Sequence, residues 1–227
     1  SSVLLDIKSG DILSLVSTPS YNPNNFVLGI SQSDWNALLN DERKPLLNKA
    51  TSGAYPPGST FKMVVAAAAL ELGLIGLNDK IFCAGFYELG SRKFHCWLKG
   101  GHGKLTLQEA IQKSCDVYFY ELARKVGVKR IGDMARRLGL GQAYNLPLTG
   151  LSKGFVPTKK WKKERFGTSW LVGDTLNVGI GQGFSLATPL QLAVMTARLA
   201  SGKEVTPNII KNPNKNADNP KALSIKE

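Results

Sequence analysis

Ser59 and Lys62 stand three residues apart in "YPPGSTFKM", residues 55–63. That spacing puts two side chains on one helical face with Cβ atoms about 5–6 Å apart. A serine hydroxyl is a weak nucleophile until a neighbouring base takes its proton. A lysine amine can be that base where an apolar setting disfavours the ammonium form, and the run from Met63 to Leu70 is apolar. Pro56, Pro57 and Gly58 fix the approach to the serine. They make Ser59 the opening of a helix, whose free N–H groups and dipole favour a developing oxyanion. Taken alone, so short a pattern also fits a serine capping a helix and a lysine in solvent.

A second set of chemically capable residues is Cys83, Cys96, His102 and Cys115, spaced by 13, 6 and 13 residues. Three thiols and one imidazole complete a tetrahedral Cys₃His zinc site without an open position for water, which is a structural metal and not a catalytic one. The spacings are not those of a zinc finger. Three buried free thiols, or one disulfide and a spare, satisfy the same count, since an odd number of cysteines cannot all pair. His95, beside Cys96, is the rival imidazole, but "GGHGKL" leaves His102 in a loop free to turn toward a metal.

The elements that must position these residues follow from pattern. "VLLDIKSGDILSLVSTPSY" reads as a hairpin whose turn uses Gly10. Residues 20–57, rich in Asn, Pro and Ser, form a long surface excursion with a short helix around Ser33 to Asn40. "TFKMVVAAAALEL" from Thr60 to Leu72 is apolar on nearly every face and predicts a buried helix ending at Gly73. Residues 79–104 hold five glycines and no periodicity, and read as an irregular excursion without an obvious core, in need of a staple. Thr106 and Glu109 form a capping box ahead of a helix to about Gln112. Helices stopped by Gly127 and Gly139 follow, and Thr188, Pro189, Gln191 and Gly202 delimit another.

The formal charge of +12 invites a polyanion partner. The basic residues are dispersed, however, and the densest cluster, "TKKWKKERF" at 158–166, carries no nucleic-acid motif. It reads as a solvated basic face beside an anionic wall or membrane, with no nucleic acid involved. No stretch approaches the roughly 18 apolar residues of a membrane span. "GIGQG" at 179–183 is not a dinucleotide loop, because no βαβ unit surrounds it. Both ends of the chain look cut from something longer.

"ATSGAYPPGSTFKMVVAAAALE" strongly resembles the active-site serine region of the penicillin-binding proteins, whose first motif is Ser-x-x-Lys. "LLDIKSGDILSLVSTPSYNPNNF" is similar to the strand pair and loop before the serine in class B enzymes. "QKSCDVYFYELARKVG" resembles the second motif, Ser-x-Asn, written here Ser114-Cys115-Asp116, and "GDTLNVGIGQGFSLATPLQLA" the Gly-rich segment and helix beyond it. The resemblance covers about residues 3–210 and is greatest to the elongation-specific branch, penicillin-binding protein 2.

That resemblance implies an α+β transpeptidase fold, an antiparallel sheet flanked by helices in an α/β sandwich, incomplete at the C-terminal side. It implies a peptidoglycan D,D-transpeptidase that acylates Ser59 with a stem peptide and is trapped by β-lactams. Lys62 would be the base, Ser114 a proton relay, and Asp116 a partner for Lys62 and substrate amides. No cofactor takes part in the chemistry; some members of the branch hold a zinc beside the second motif, which Cys115 joins here. A membrane anchor, a membrane-embedded glycan polymerase as partner and a periplasmic location are implied as well. The third motif, Lys-Ser/Thr-Gly, is expected several tens of residues past 210; Lys8-Ser9-Gly10 spells it in the wrong place and reads as a turn. A silent scaffold module lacking that motif, or a β-lactamase or D,D-carboxypeptidase, are the alternatives.

Overall fold

The computed structural model describes residues 1–210 and 220–223. Its centre is a set of packed helices. α2 (Lys62–Glu71) lies against α4 (Asp116–Val126) and α5 (Val128–Arg137), and α7 (Val172–Gly179) crosses the far side of α4. Phe61, Tyr118, Phe119, Leu122, Ile131, Met134 and Leu176 are sealed between them. α7 can approach α4 so closely because Gly179 lacks a side chain: a Cβ there would sit 2.3 Å from the Ala123 Cβ.

Three antiparallel pairs surround this core among the described residues. β1 (Ser2–Leu5) and β2 (Ile12–Val16) form the expected hairpin, backed by α8 (Pro189–Ser201). Its turn is Asp6 to Asp11, with the Asp6 carboxylate accepting the N–H groups of Lys8 and Ser9. Gly10 sits at φ +79° against the Thr206 carbonyl, so Lys8-Ser9-Gly10 is a turn, as its position implied.

The 79–104 excursion differs from its sequence reading. It contains β3 (Ile81–Cys83), β4 (Phe86–Leu89) and β5 (Arg92–His95), and β3 pairs with β6 (Gly103–Leu105) while β4 pairs with β5. Strands of three or four residues are too short to show an alternating pattern. The excursion uses the main core: Phe94 meets Tyr120 of α4 edge-on at 5.8 Å. Gly85 and Gly101 let its two limbs touch backbone to backbone.

The capping boxes at Thr106–Glu109 and Thr188–Gln191 are both formed, opening α3 (Leu107–Gln112) and α8. α1 (Gln32–Asn40) is the short helix of the 20–57 excursion. The basic cluster at 158–166 folds as α6 (Lys159–Phe166), and one face of it is not solvated. Lys162 is buried against the Asp174 carboxylate, and Trp161 packs among Phe155, Phe166 and Phe184. No helix among the described residues is long and apolar enough to cross a membrane.

Candidate active site

The turn before Ser59 is held from both sides. Tyr55 exchanges two backbone hydrogen bonds with Ala187, and the Gly58 N–H donates to the Gly181 carbonyl at 2.9 Å. Gly181 is at φ +71°, and a Cβ on it would lie 2.0 Å from the Gly58 oxygen. The glycine-rich "GIGQG" is therefore the wall against which the serine turn is pressed. Glycines outside any periodic pattern are the available sequence signal for such a close backbone approach.

The chain then runs as a 3₁₀ turn, Gly58–Phe61, and α2 begins only at Lys62. This replaces the expectation that Ser59 opens the α-helix itself. Side chains at i and i+3 eclipse in a 3₁₀ turn, so Ser59 and Lys62 still share a face. Ser59 is exposed, and its N–H lies in a first turn, where no intrahelical acceptor exists. Lys62 is 2% exposed.

The Lys62 ammonium has three N–H donors, and three acceptors meet it. Its Nζ lies 2.8 Å from the Ser114 carbonyl oxygen, 3.0 Å from Ser114 Oγ and 2.7 Å from Asp116 Oδ1. Ser114 Oγ in turn donates to Ser59 Oγ at 2.9 Å. Among the described residues Lys62 makes no hydrogen bond to Ser59. The direct contact expected from their spacing is replaced by a chain, Ser59–Ser114–Lys62–Asp116, because burial draws the amine inward toward the carboxylate. As it stands the array donates outward, from the Lys62 ammonium to Ser114 Oγ and from Ser114 Oγ to Ser59 Oγ. With the lysine as the free amine and both hydroxyls turned round, the same contacts carry a proton from Ser59 through Ser114 to Lys62.

Ser114 owes its place to the end of α3. Cys115 N–H donates to the Ala110 carbonyl and Ser114 N–H to that of Ile111, the paired bonds of a Schellman cap. The residue at the left-handed position of this cap is ordinarily glycine, and here it is Ser114 at φ +49°. A side chain there costs about 1–2 kcal/mol.

Directly beside this array the three cysteines and His102 converge. Their ligand atoms all lie within 4.8 Å of one another, and all three thiols are free and buried. His102 Nδ1 is 3.7 Å from the Cys83 sulfur and 3.5 Å from that of Cys96. Zn–S bonds of about 2.3 Å place tetrahedral ligand atoms roughly 3.8 Å apart, so the spacing suits zinc. Burial lowers the His102 pKa, which favours the neutral imidazole that a metal needs, and burial pushes the Cys115 thiol well above its ordinary value. His102 Nε2 is buried without a hydrogen-bond partner among the described residues. His95, the rival imidazole, is exposed on β5, outside the cluster.

Trp97, unmarked by any sequence signal, joins the two sets. Its backbone N–H donates to Asp116 Oδ2 at 3.1 Å, and its indole Nε1–H donates to the Lys113 carbonyl at 3.1 Å.

Comparison with known proteins places this geometry. The model of the penicillin binding protein transpeptidase domain matches residues 1–227. Peptidoglycan D,D-transpeptidase MrdA of Escherichia coli K12 is 45% identical over 193 residues, 84% of this chain and 30% of that protein. Among solved structures, Pseudomonas aeruginosa PBP2 in complex with WCK 5153 is similar at TM-score 0.90 and 37% identity, over 99% of this chain and 53% of that one. Helicobacter pylori PBP2 in complex with MreC is similar at TM-score 0.89 and 41% identity, over 93% of this chain and 39% of that one. The chain spans about a third of the length of the curated relatives it matches. With the family model running over every residue and the fold shared with the two PBP2 structures, the chain belongs to the penicillin-binding protein transpeptidase family.

Proposed function

We propose that this chain carries the acylating centre of a peptidoglycan D,D-transpeptidase. The observation that supports it most is the exposed Ser59 hydroxyl linked through Ser114 to a buried, carboxylate-paired lysine. The reactive form is the one in which Lys62 has given up a proton to solvent and the two hydroxyls have turned so that Ser59 donates to Ser114 and Ser114 to Nζ. Ser59 Oγ then attacks the carbonyl carbon of the penultimate D-Ala of a stem peptide while its proton passes to Ser114 Oγ and the Ser114 proton passes to the Lys62 amine. The C–N bond to the terminal D-Ala then breaks, and its nitrogen takes the proton back along the same path. An amine from a neighbouring stem attacks the ester, forms the cross-linking amide and returns Ser59 to its hydroxyl form. The Ser59 N–H faces the developing oxyanion. A strained β-lactam amide in place of the D-Ala-D-Ala bond leaves Ser59 acylated.

Asp116 keeps the lysine in position and offers an acceptor to substrate amides; the chemistry calls on no cofactor. Cys83, Cys96, His102 and Cys115 would hold zinc, with His102 ligating through Nδ1. When bound, the ion supplies a closed structural cross-link between the excursion and the start of α4. By family resemblance the protein acts at the periplasmic face of the inner membrane, anchored there beside a glycan polymerase. The complex of the Helicobacter relative supports an MreC-like partner too.

The test is turnover of a D-Ala-D-Ala pentapeptide with an added amine acceptor by the protein as the cell makes it. Release of D-Ala together with an acceptor adduct, both lost in Ser59→Ala, is the expected result. Release to water alone would make it a D,D-carboxypeptidase, rapid penicillin turnover a β-lactamase, and no release a scaffold.

A further inference from the structure

We propose that Trp97 is a positioning residue, which holds Ser114 in its left-handed conformation and Asp116 in its orientation toward Lys62. The inference rests on the roles proposed above for Ser114 and Lys62. The last carbonyls of a helix lack intrahelical partners, and the Lys113 carbonyl, one residue before Ser114, is such a group at the end of α3. The Trp97 indole N–H donates to it from outside the helix at 3.1 Å. Rotation of the Lys113–Ser114 peptide, the motion that would release Ser114 from φ +49°, breaks that bond.

The Trp97 backbone N–H acts on the other side of Ser114. It takes up Asp116 Oδ2, which leaves Oδ1 for the Lys62 amine. One residue therefore fixes both flanks of the relay serine. The same residue follows Cys96, and its ring meets His102 edge to face at 5.2 Å. The thiol and imidazole cluster thus sets where Trp97 stands, and Trp97 sets where the reactive groups stand. Trp97 as a residue is 63% exposed, so its indole donor serves geometry more than packing. The left-handed serine also explains why a donor is needed there: a glycine would hold this cap without help.

Trp97→Phe keeps the ring on His102 and the backbone N–H, and removes only the indole donor. Acylation by a fluorescent penicillin is expected to show a maximal rate lowered by at least about tenfold, since small displacements of reacting groups carry large rate penalties. The half-saturating concentration should stay within about twofold of the parent and the melting temperature within about 2 °C. A crystal structure of the variant should show Ser114 out of the left-handed region or its hydroxyl turned from Ser59. An unchanged maximal rate would overturn the inference. So would a change confined to the half-saturating concentration, which marks a substrate contact, or a rate loss matched by a large fall in melting temperature, which marks a packing role. If the parent itself does not acylate, the transpeptidase reading fails, and the variant structure alone decides the positioning role: an unmoved Ser114 refutes it.

Discussion

Ser114 occupies a position that favours glycine and carries a hydroxyl that the proton path needs. Ser114→Gly separates these demands. Relief of the left-handed strain, worth about 1–2 kcal/mol, offsets much of the loss of a charge-assisted hydrogen bond worth about 1.5–3 kcal/mol. Denaturant unfolding should therefore show a destabilisation of no more than about 2 kcal/mol. Penicillin acylation should nevertheless fall by about 10²–10⁴-fold, the usual worth of a positioned proton carrier. Parent-like acylation in this variant would remove Ser114 from the path. The Ser59–Lys62 pair was readable because three residues of separation is a local signal. Ser114 and Asp116, 55 and 57 residues beyond Ser59, could be reached only through resemblance to a family motif. The bridging order of the four groups depends on how deeply α2 buries its first residue.

At the scale of elements, the serine turn is held by a segment 123 residues further along the chain, where Gly181 touches Gly58. Gly181→Ala would push a methyl into a backbone oxygen, at a φ that side chains rarely adopt. Acylation is expected to drop about 100-fold and stability by more than about 1 kcal/mol. Gly167→Ala is the control: φ is +68° there too, but the added methyl meets nothing within 4 Å. It should lose stability alone, as thermal unfolding beside an acylation assay would show. Equal acylation losses in both variants would mean that strain, and not contact with the serine turn, is what matters. Capped helices such as α8 were legible because Thr188, Pro189, Gln191 and Gly202 are local instructions. α6 was not, since its lysines dominate the pattern while Lys162 is buried and Trp161 half-buried by partners elsewhere in the chain. The strands β3 to β6 escaped for a similar reason, as pairs of three or four residues owe their existence to the core beneath them.

For the whole molecule, the Cys₃His cluster brings the 79–104 excursion against the head of α4, so a metal held there as proposed should be felt throughout. Removal of zinc by a chelator is expected to lower the melting temperature by about 5–10 °C, equivalent to several kcal/mol for a chain of this size. Elemental analysis should find one zinc per chain in the parent and none in Cys83→Ala. A metal-free parent with an unchanged melting temperature would leave the thiols as packing residues. The net charge of +12 remains spread over the surface, including the outer face of α6, and suits an anionic surrounding without defining a site. Whether Ser59 is an activated nucleophile is decided by intact-mass analysis of the protein as the cell makes it after incubation with a penicillin. One added penicillin mass per parent chain and none on Ser59→Ala is the expected result. A folded parent that stays unmodified, or a Ser59→Ala variant that still gains the mass, would contradict it.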